Sequence, residues 1–455
     1  MFKFCTFTFV TVLTVDLLAT SGDITLTWTS PILPKLYSTD PNINPLNRPI
    51  TSDEESWIGS LTNIGAIIGP LPFGYLSEKL GRKFSLLCIS IPYIVSFTVL
   101  ALVHNLYWYY FARFLAGISE GAGCSLLPLY IAEIAEDANR GMLSVTLNIF
   151  WTLGNLIPYV LGPYMPIFWF NFTLACLPAL FFVLFLIIAP ESPYYLIRKN
   201  KIDKAEESLM KLRSRNRSAV GKEIINISNS INQDHNGAFT DLFKTRANLK
   251  ALTISLTLVI FQQLSGINAI LSYTQLIFEV SGSDIPPEIS SIIIGLVIFF
   301  SSLIIPFFAD RLGRRIFLMV SSSAMMISLA TVGSYFYLKD TVLLEVSPFS
   351  WLPILSLVLF IVAFNFGFGA LPWTISSELF PVNVKSIGTS LVSFTCWLVS
   401  FIMTKFFNKL NDAFGKAGTF WLFSGFCFIA TLFTLFCVPE TKGKSFSDIR
   451  EILEK

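Results

Sequence analysis

Apolar runs of about 20 residues recur along the chain, and each is long enough to cross the hydrocarbon core of a bilayer as a helix. Hydrophobic residues make up 53% of the 455 residues and charged residues only 14%, which is more apolar surface than a soluble domain needs. We therefore predict an all-α polytopic membrane protein with twelve transmembrane helices. The predicted spans are residues 6–28, 57–76, 84–103, 107–130, 142–163, 167–189, 249–278, 288–309, 316–337, 351–376, 387–409 and 418–438.

Positive charges lie in alternate loops between these spans. Lysine and arginine are concentrated in residues 79–83, 198–250, 311–315 and 442–455, whereas the intervening loops are short or acid-rich. By the positive-inside rule, these loops and both termini are predicted to be cytoplasmic. We expect a plasma-membrane protein that lies in the lipid bilayer. The net charge of +2 favours neither a nucleic-acid partner nor an acidic substrate.

The chain shows no pattern of catalytic or metal-binding residues. The seven cysteines lie in or beside apolar runs without metal-ligand spacing, and the two histidines, His104 and His235, fall in loops on opposite sides of the membrane. There is no nucleophile paired with a base and no phosphate-binding loop. The sequence therefore predicts neither an enzyme nor a protein that holds a metal or cofactor.

Three side-chain amides, Gln262, Gln263 and Asn268, lie inside one of the longest apolar runs. A buried amide without a partner is costly in hydrocarbon, so each needs a hydrogen bond. On a regular helix, at about 100° per residue, the three amides cannot all face one side. Ser265 and Gly266 lie between them, and we predict a broken helix beside a polar cavity at this point. The alternative is that neighbouring helices satisfy the amides.

Asp23 is a carboxylate inside the first apolar run. Intramembrane carboxylates are candidates for ion or proton coupling. If helix 1 ends near Pro31, Asp23 lies about two turns from the outer surface and can be hydrated. Two interpretations remain open for Asp23, proton coupling and a solvated or paired structural role.

Charged motifs recur in the two parts of the chain at offsets of roughly 230 to 250 residues, which indicates an internal duplication. The segment GYLSEKLGRK has its counterpart in FFADRLGRR, and in each an acid stands four residues before an arginine. We predict an N-terminal six-helix half in residues 1–190 and a C-terminal half in residues 249–438. A cytoplasmic linker with short helices occupies residues 191–248, and residues 439–455 form a cytoplasmic tail.

Taken in order, these motifs resemble the sugar porter family of the major facilitator superfamily. The resemblance covers nearly the whole chain and includes RFLAG at Arg113, PESPYYL at Pro190, QQLSGIN at Gln262, GFGALPW at Gly367 and PETKG at Pro439. The segment WTSP at 28–31 is similar to the insect facilitated trehalose transporter subfamily. This resemblance implies the major facilitator fold and transport of a neutral sugar by alternating access.

The resemblance also implies a sugar site made of amide and aromatic side chains. Its residues in this chain are Gln262, Gln263, Asn268, Asn148, Tyr273, Trp373 and Trp397. Asn148 takes the place of a longer glutamine, and Cys396 and Ser400 stand where relatives often carry asparagine. Such a site suits a sugar, because amides both donate and accept hydrogen bonds and aromatic planes cover the apolar ring face.

A cytoplasmic ion-pair network is the second feature that the resemblance implies. Its residues here are Glu78, Arg82, Arg113, Glu133, Arg140, Glu191, Asp310, Arg314, Glu378, Lys385 and Glu440. We hypothesise that these pairs form when the inner side is closed and break when it opens. Lys385 with Ser386 replaces the usual Arg-Gly pair, and lysine lacks the bidentate fork of arginine.

The favoured function is facilitative uniport of trehalose or a hexose by a monomer. A proton-coupled sugar symporter that uses Asp23 is the alternative within transport. A sugar sensor that binds without transport is the alternative from another class, but it predicts long signalling tails.

Overall fold

The computed structural model describes residues 7–136, 139–214, 217–233, 239–304, 313–442, 444 and 446–454. Its described residues are helical or irregular and contain no strand. The first part of the chain forms α1 Phe7–Thr27, α2 Thr29–Leu36, α3 Ser52–Ile68, α4 Pro70–Lys79, α5 Arg82–Leu102, α6 Leu106–Ile134, α7 Arg140–Leu161 and α8 Ile167–Ile188.

Short helices connect this part to the second. They are α9 Pro193–Arg198, α10 Ile202–Arg213, α11 Arg217–Gln233 and α12 Asp241–Lys244. The second part contains α13 Arg246–Leu264, α14 Ile267–Ser281, α15 Pro287–Ile304, α16 Arg314–Asp340, α17 Leu352–Phe366, α18 Leu371–Leu379, α19 Val382–Cys437 and α20 Phe446–Glu454.

Each of the twelve predicted spans coincides with helix over the residues that the structure describes; residue 6 and residues 305–309, at the ends of two spans, lie outside them. Among the described residues, ten helical stretches are long and apolar enough to cross a membrane, and one of them, Asn383–Cys437, contains two predicted spans. Gly415 separates these two spans, because its φ of 71° bends α19 sharply. The predicted span 57–76 is not among the ten, but it is helical as α3 and α4. The fold is the predicted all-α polytopic membrane architecture.

Several spans consist of two helices that meet at a glycine or proline. Gly69 and Pro70 separate α3 from α4, and Gly367 to Ala370 separate α17 from α18. Pro70 cannot donate a helical hydrogen bond, although Gly69 itself keeps helical dihedral angles. Gly367 is non-helical, with a φ of −137° and a ψ of −70°, a conformation that costs glycine little. The sequence predicted one span over 351–376, and the structure divides this span at the Gly-Phe-Gly segment.

The two halves, α1–α8 and α13–α19, meet along a few helix pairs. Helix α3 packs against α19, α7 against α15, and α2 against α14. We call the end of the bundle that carries Arg82 and Arg314 the repeat end, since it bears the duplicated motif. The opposite end, where α2 ends and α3 begins, is the distal end.

Helices α9 to α11 pack on the N-terminal half, whereas α12 contacts α13 of the second half. Helices α9 to α11 form a small hydrophobic cluster of their own that includes Tyr195, Leu209 and Val220. Arg213 of α10 donates a hydrogen bond to the carbonyl of Ile134 at 2.7 Å and pairs with Glu223 at 2.6 Å. The linker is therefore attached to the last turn of α6.

Candidate functional site

The amide-bearing span breaks between its amides, as the sequence predicted. Helix α13 ends at Leu264, and Gly266 has a φ of 80°, in the left-handed region. A Cβ on Gly266 would lie 2.4 Å from the ring of Phe423, so both the backbone conformation and the space require glycine here. The break turns Asn268 back towards Gln263, and the Asn268 amide donates to the Gln263 carbonyl oxygen at 2.9 Å.

Gln262 connects this break to the second one. Its side-chain amide donates to the carbonyl of Phe368 at 2.5 Å and to that of Gly369 at 3.1 Å. These carbonyls belong to the non-helical segment between α17 and α18, where no helical donor reaches them. The NH₂ of Gln262 is thus satisfied by a neighbouring helix, which was the alternative interpretation of the amides.

Gln263 and Asn268 start a chain of hydrogen bonds that crosses between the halves. The Gln263 amide donates to Cys396 Sγ at 3.1 Å, and the Asn268 amide donates to Ser400 Oγ at 2.7 Å. Ser400 in turn donates to Asn63 Oδ1 at 3.1 Å, and Asn63 lies on α3 of the other half. The two residues that depart from the family pattern, Cys396 and Ser400, therefore contact the amides directly. Sequence reasoning missed Asn63, although it is an amide inside the predicted span 57–76.

The other predicted site residues lie apart from this chain. Tyr273 is buried and donates to the Thr404 carbonyl at 3.2 Å, and it lines a cavity of about 250 Å³ at the distal end. The Asn148 side chain is exposed on α7. Trp373 is 37% exposed in the first turn of α18, and Trp397 is half-buried next to Cys396 on α19. Three of the seven predicted residues, Gln262, Gln263 and Asn268, lie together at the break between α13 and α14.

This arrangement can recognise a polyhydroxylated, uncharged molecule. Amide and hydroxyl groups from both halves meet at one place, and each can donate and accept hydrogen bonds. The groups that join Gln263, Asn268 and Asn63 carry no formal charge. Bonds of this kind are individually weak and can be exchanged for bonds to a ligand.

At the repeat end, Glu191 caps the start of α5. Its carboxylate accepts hydrogen bonds from the backbone N–H groups of Arg82 at 2.8 Å and Lys83 at 3.1 Å. A carboxylate is favourable at this position, because the first N–H groups of a helix have no intrahelical partner. Gly81 makes room for it, since its φ is 108° and a Cβ would lie 2.2 Å from the Glu191 carboxylate. Arg82 also forms a buried ion pair with Glu133 at 3.1 Å.

The second copy of the motif repeats this arrangement. Glu440 accepts from the N–H groups of Arg314 at 2.9 Å and Arg315 at 3.1 Å, and Gly313 has a φ of 96°. Arg314 pairs with Glu378 at 3.5 Å. This explains the repeated Leu-Gly-Arg order. The glycine before each arginine has a positive φ and leaves room for the carboxylate that caps the helix.

The pKa values of the two capping carboxyl groups shift in opposite directions. Burial raises the pKa of Glu191, although N–H donors from Ser192, Lys83 and Arg82 oppose the shift. Burial also acts to raise the pKa of Glu440, but the N–H donors, first that of Lys442, outweigh it and the pKa is lowered. Glu440 is therefore the more firmly ionised of the two.

The remaining members of the predicted network are dispersed. Glu78 is exposed, and the carbonyl of Ser77 accepts from Arg82 at 2.8 Å. Arg140 begins α7, and Lys385 is half-buried near the start of α19. Asp310 lies outside the described residues.

Arg113 does not join the network at the repeat end. It is fully buried near the distal end, where it donates to the carbonyls of Thr25 at 2.6 Å and Ile58 at 3.0 Å. Its guanidinium lies 5.1 Å from the ring of Trp28. The family resemblance implied that Arg113 belongs to the cytoplasmic network. Its partners are instead backbone carbonyls of α1 and α3 and the indole of Trp28, the residue between α1 and α2.

Asp23 lies beside a second carboxylate that sequence reasoning missed. Asn155 of α7 donates to Asp23 at 2.5 Å. The Glu120 carboxylate lies against Gly22, where a Cβ would be 2.4 Å away, and it accepts from Tyr93 at 2.9 Å. Asp16 is a further buried carboxylate on α1. The signal for both missed groups was an acidic residue inside a predicted span.

The chain consists of two helical halves in which some spans are divided into two helices, and the halves meet at an uncharged hydrogen-bonding site. This is the architecture of a membrane transporter of the major facilitator fold. A family model described as "Sugar (and other) transporter" matches residues 34–453. The facilitated trehalose transporter Tret1 of Apis mellifera ligustica is 36% identical over 406 residues, covering 88% of this chain and 80% of the relative. Tret1 of Bombyx mori is 37% identical over 405 residues, covering 88% and 79%.

A solved structure shows the same fold. The inward open conformation of the xylose transporter XylE from E. coli matches with a TM-score of 0.78 at 21% identity, covering 97% of this chain and 99% of that one. The chain belongs to the sugar porter family. It is a multi-pass membrane transporter and not an enzyme.

Proposed function

We propose that this protein carries trehalose or a hexose down its concentration gradient by alternating access, as a monomer in the plasma membrane. The hydrogen-bond chain from Gln263 and Asn268 through Ser400 to Asn63 supports this proposal most directly. It places uncharged donors and acceptors of both halves at one site. The similarity to two facilitated trehalose transporters supports the choice of sugar and the uniport mechanism.

We also propose the orientation, with the repeat end cytoplasmic and the distal end extracellular. The alternation of positively charged loops supports it. Among the described contacts between the halves, Thr29 donates a hydrogen bond to the Ser272 carbonyl at 3.0 Å, and the backbone N–H of Gln275 donates to Ser30 Oγ at 3.0 Å. These contacts hold the halves together at the distal end, and with the proposed orientation they support a conformation that is closed to the outside.

Uptake of labelled trehalose and glucose into expressing cells tests the function. We expect wild-type protein to take up one of these sugars, and Gln263→Ala and Asn268→Ala to lower uptake at least fivefold, since each removes a hydrogen bond to the site. Gln275→Ala is the matched control, because this amide lies on the same helix, two turns beyond Asn268. Uptake of neither sugar by protein present at the cell surface would contradict the proposal.

Proton-coupled symport is a second candidate, favoured by the contact between α1 and α6 at Asp23 and Glu120. A pair of intramembrane carboxyl groups is a candidate for proton binding. Addition of sugar would then acidify the cytoplasm, and Asp23→Asn or Glu120→Gln would abolish the acidification. Uptake without a pH change supports uniport.

A further inference from the structure

A buried ammonium lies at the distal end, on a helix that the sequence predicts to span the membrane. Lys405 of α19 is 6% exposed. Its Nζ donates to Asp53 Oδ1 at 2.8 Å and to Ser56 Oγ at 2.8 Å, and it lies 4.0 Å from the ring of Trp57. All three partners belong to α3, in the other half of the molecule.

Neighbouring contacts extend this junction. Asn408, one turn further along α19, donates to Glu55 at 3.0 Å, and the same carboxylate accepts from Tyr37 at 2.5 Å. Tyr273 fits against α3 so closely that a Cβ on Gly59 would lie 2.8 Å from its hydroxyl. These contacts, which extend from Tyr37 to Tyr273, close the bundle between the amide site and the distal end.

The charge of Lys405 makes this junction depend on the separation of the halves. An ammonium taken out of water is stable only when it is paired and hydrogen-bonded. When α3 and α19 move apart, Lys405 loses its carboxylate, its hydroxyl and its aromatic partner together. Lys416 is a useful contrast, because its partner Asp340, at 3.5 Å, lies in the same half and does not leave when the halves separate.

We propose that Lys405 and Asp53 form a gate at the distal end. Lys405 is a positioning residue that holds the outer entrance closed while the amide site faces the repeat end. The pair thereby sets how often the site becomes accessible from outside. The sidedness of this proposal rests on the orientation given under the proposed function, but the gate itself does not.

Cys396 provides a native reporter of gate opening, because its thiol lies in the amide site and is 6% exposed. A membrane-impermeant thiol reagent is added to intact cells, and the rate of modification is measured with and without the Cys396→Ser substitution. The part of the rate that this substitution removes is the rate of Cys396 modification. Lys405→Met and Asp53→Asn are each expected to raise the rate of Cys396 modification about tenfold, as expected for losing hydrogen bonds to a charged group. Lys416→Met is the matched control and should leave the rate unchanged.

The charge-swapped protein Asp53→Lys with Lys405→Asp separates gating from a structural role. We expect it to return the modification rate to within about twofold of wild type, because an ion pair of the same kind is restored. Lys405→Arg provides a variant that keeps the charge if Lys405→Met fails to reach the surface. It is expected to keep a low modification rate.

The outcomes are distinct from those of the sugar-uptake experiment, because modification does not depend on the sugar. An unchanged rate in Lys405→Met and Asp53→Asn overturns the gate. A swapped protein that behaves like the single variants also overturns it. If the rate of Cys396 modification in these two variants falls tenfold instead of rising, the result supports the pair as a gate but reverses the orientation proposed above.

Discussion

At the scale of single residues, the bond between Ser400 and Asn63 is the most informative contact of the candidate site. The two residues are 337 positions apart and belong to different halves. The sequence predicted the amides Gln263 and Asn268 from the cost of burying them. It could not predict their partners, because a hydrogen bond between helices depends on tertiary packing and not on local pattern.

We predict that Asn63→Ala raises the KM for sugar uptake about fivefold, the effect of removing one net hydrogen bond of about 1 kcal/mol. The concentration dependence of initial uptake rates measures this. Thr62→Val, the preceding position on α3, is the control and should leave KM within twofold. A KM for Asn63→Ala equal to that of wild type would exclude Asn63 from the sugar site.

The same limit explains why Gln262 and Arg113 have other partners than the sequence predicted. Gln262 donates to the carbonyls of a broken helix, and Arg113 donates to carbonyls near the distal end. The sequence identified Gln262 as a buried polar group that needs a partner, whereas Arg113 was expected only from the family resemblance, as a member of the cytoplasmic network. The partners of Gln262 and Arg113 depend on how α1, α3 and α17 are positioned in the fold.

At the scale of elements, the helix starts at the repeat end are fixed by capping carboxylates. The sequence predicted Glu191 and Glu440 as members of an ion-pair network. Their hydrogen bonds go to the first N–H groups of α5 and α16, so each carboxylate caps a helix of the half that precedes it in the chain. Because a positive φ cannot be recognised from composition, the role of Gly81 and Gly313 became visible only in the structure.

We predict that Gly81→Ala lowers the thermal stability of the purified protein by several degrees. A side chain at a φ of 108° is strained, and a new Cβ displaces the Glu191 carboxylate, at a cost of about 1–3 kcal/mol. Thermal unfolding followed by tryptophan fluorescence measures the change. Gly74→Ala is the control, since nothing lies within 4 Å of a Cβ there, and it should be neutral. Equal melting temperatures for the two variants would contradict the capping role.

At the scale of the whole molecule, the sequence predicted twelve spans and a duplication, because apolar length and repeated motifs are local properties of the chain. It could not predict which end of the bundle is closed. That depends on contacts between the halves, such as Thr29 with the Ser272 carbonyl and Lys405 with Asp53. The two states of a transporter share one sequence and differ in such contacts.

Transport requires these distal contacts to break, so fixing them should stop it. We predict that Thr29→Cys with Ser272→Cys in a Cys396→Ser background, bridged by a short bis-methanethiosulfonate reagent, reduces uptake to background. A thiol reductant cleaves the disulfides of this bridge and should restore uptake, and each single cysteine variant in the same background should be insensitive to the reagent. Full uptake in the bridged protein would show that the distal end does not open during transport.

The capping contacts also bear on how the protein is made. Each cap joins a half to the segment that follows it in the chain, Gly81 with Glu191 and Gly313 with Glu440, and α9 to α11 pack against the N-terminal half. The chain up to the end of α11 therefore holds both members of the first cap before α13 is synthesised. A gene divided between α11 and α12 is expected to yield two fragments that each insert into the membrane and, when produced together, assemble into a working transporter.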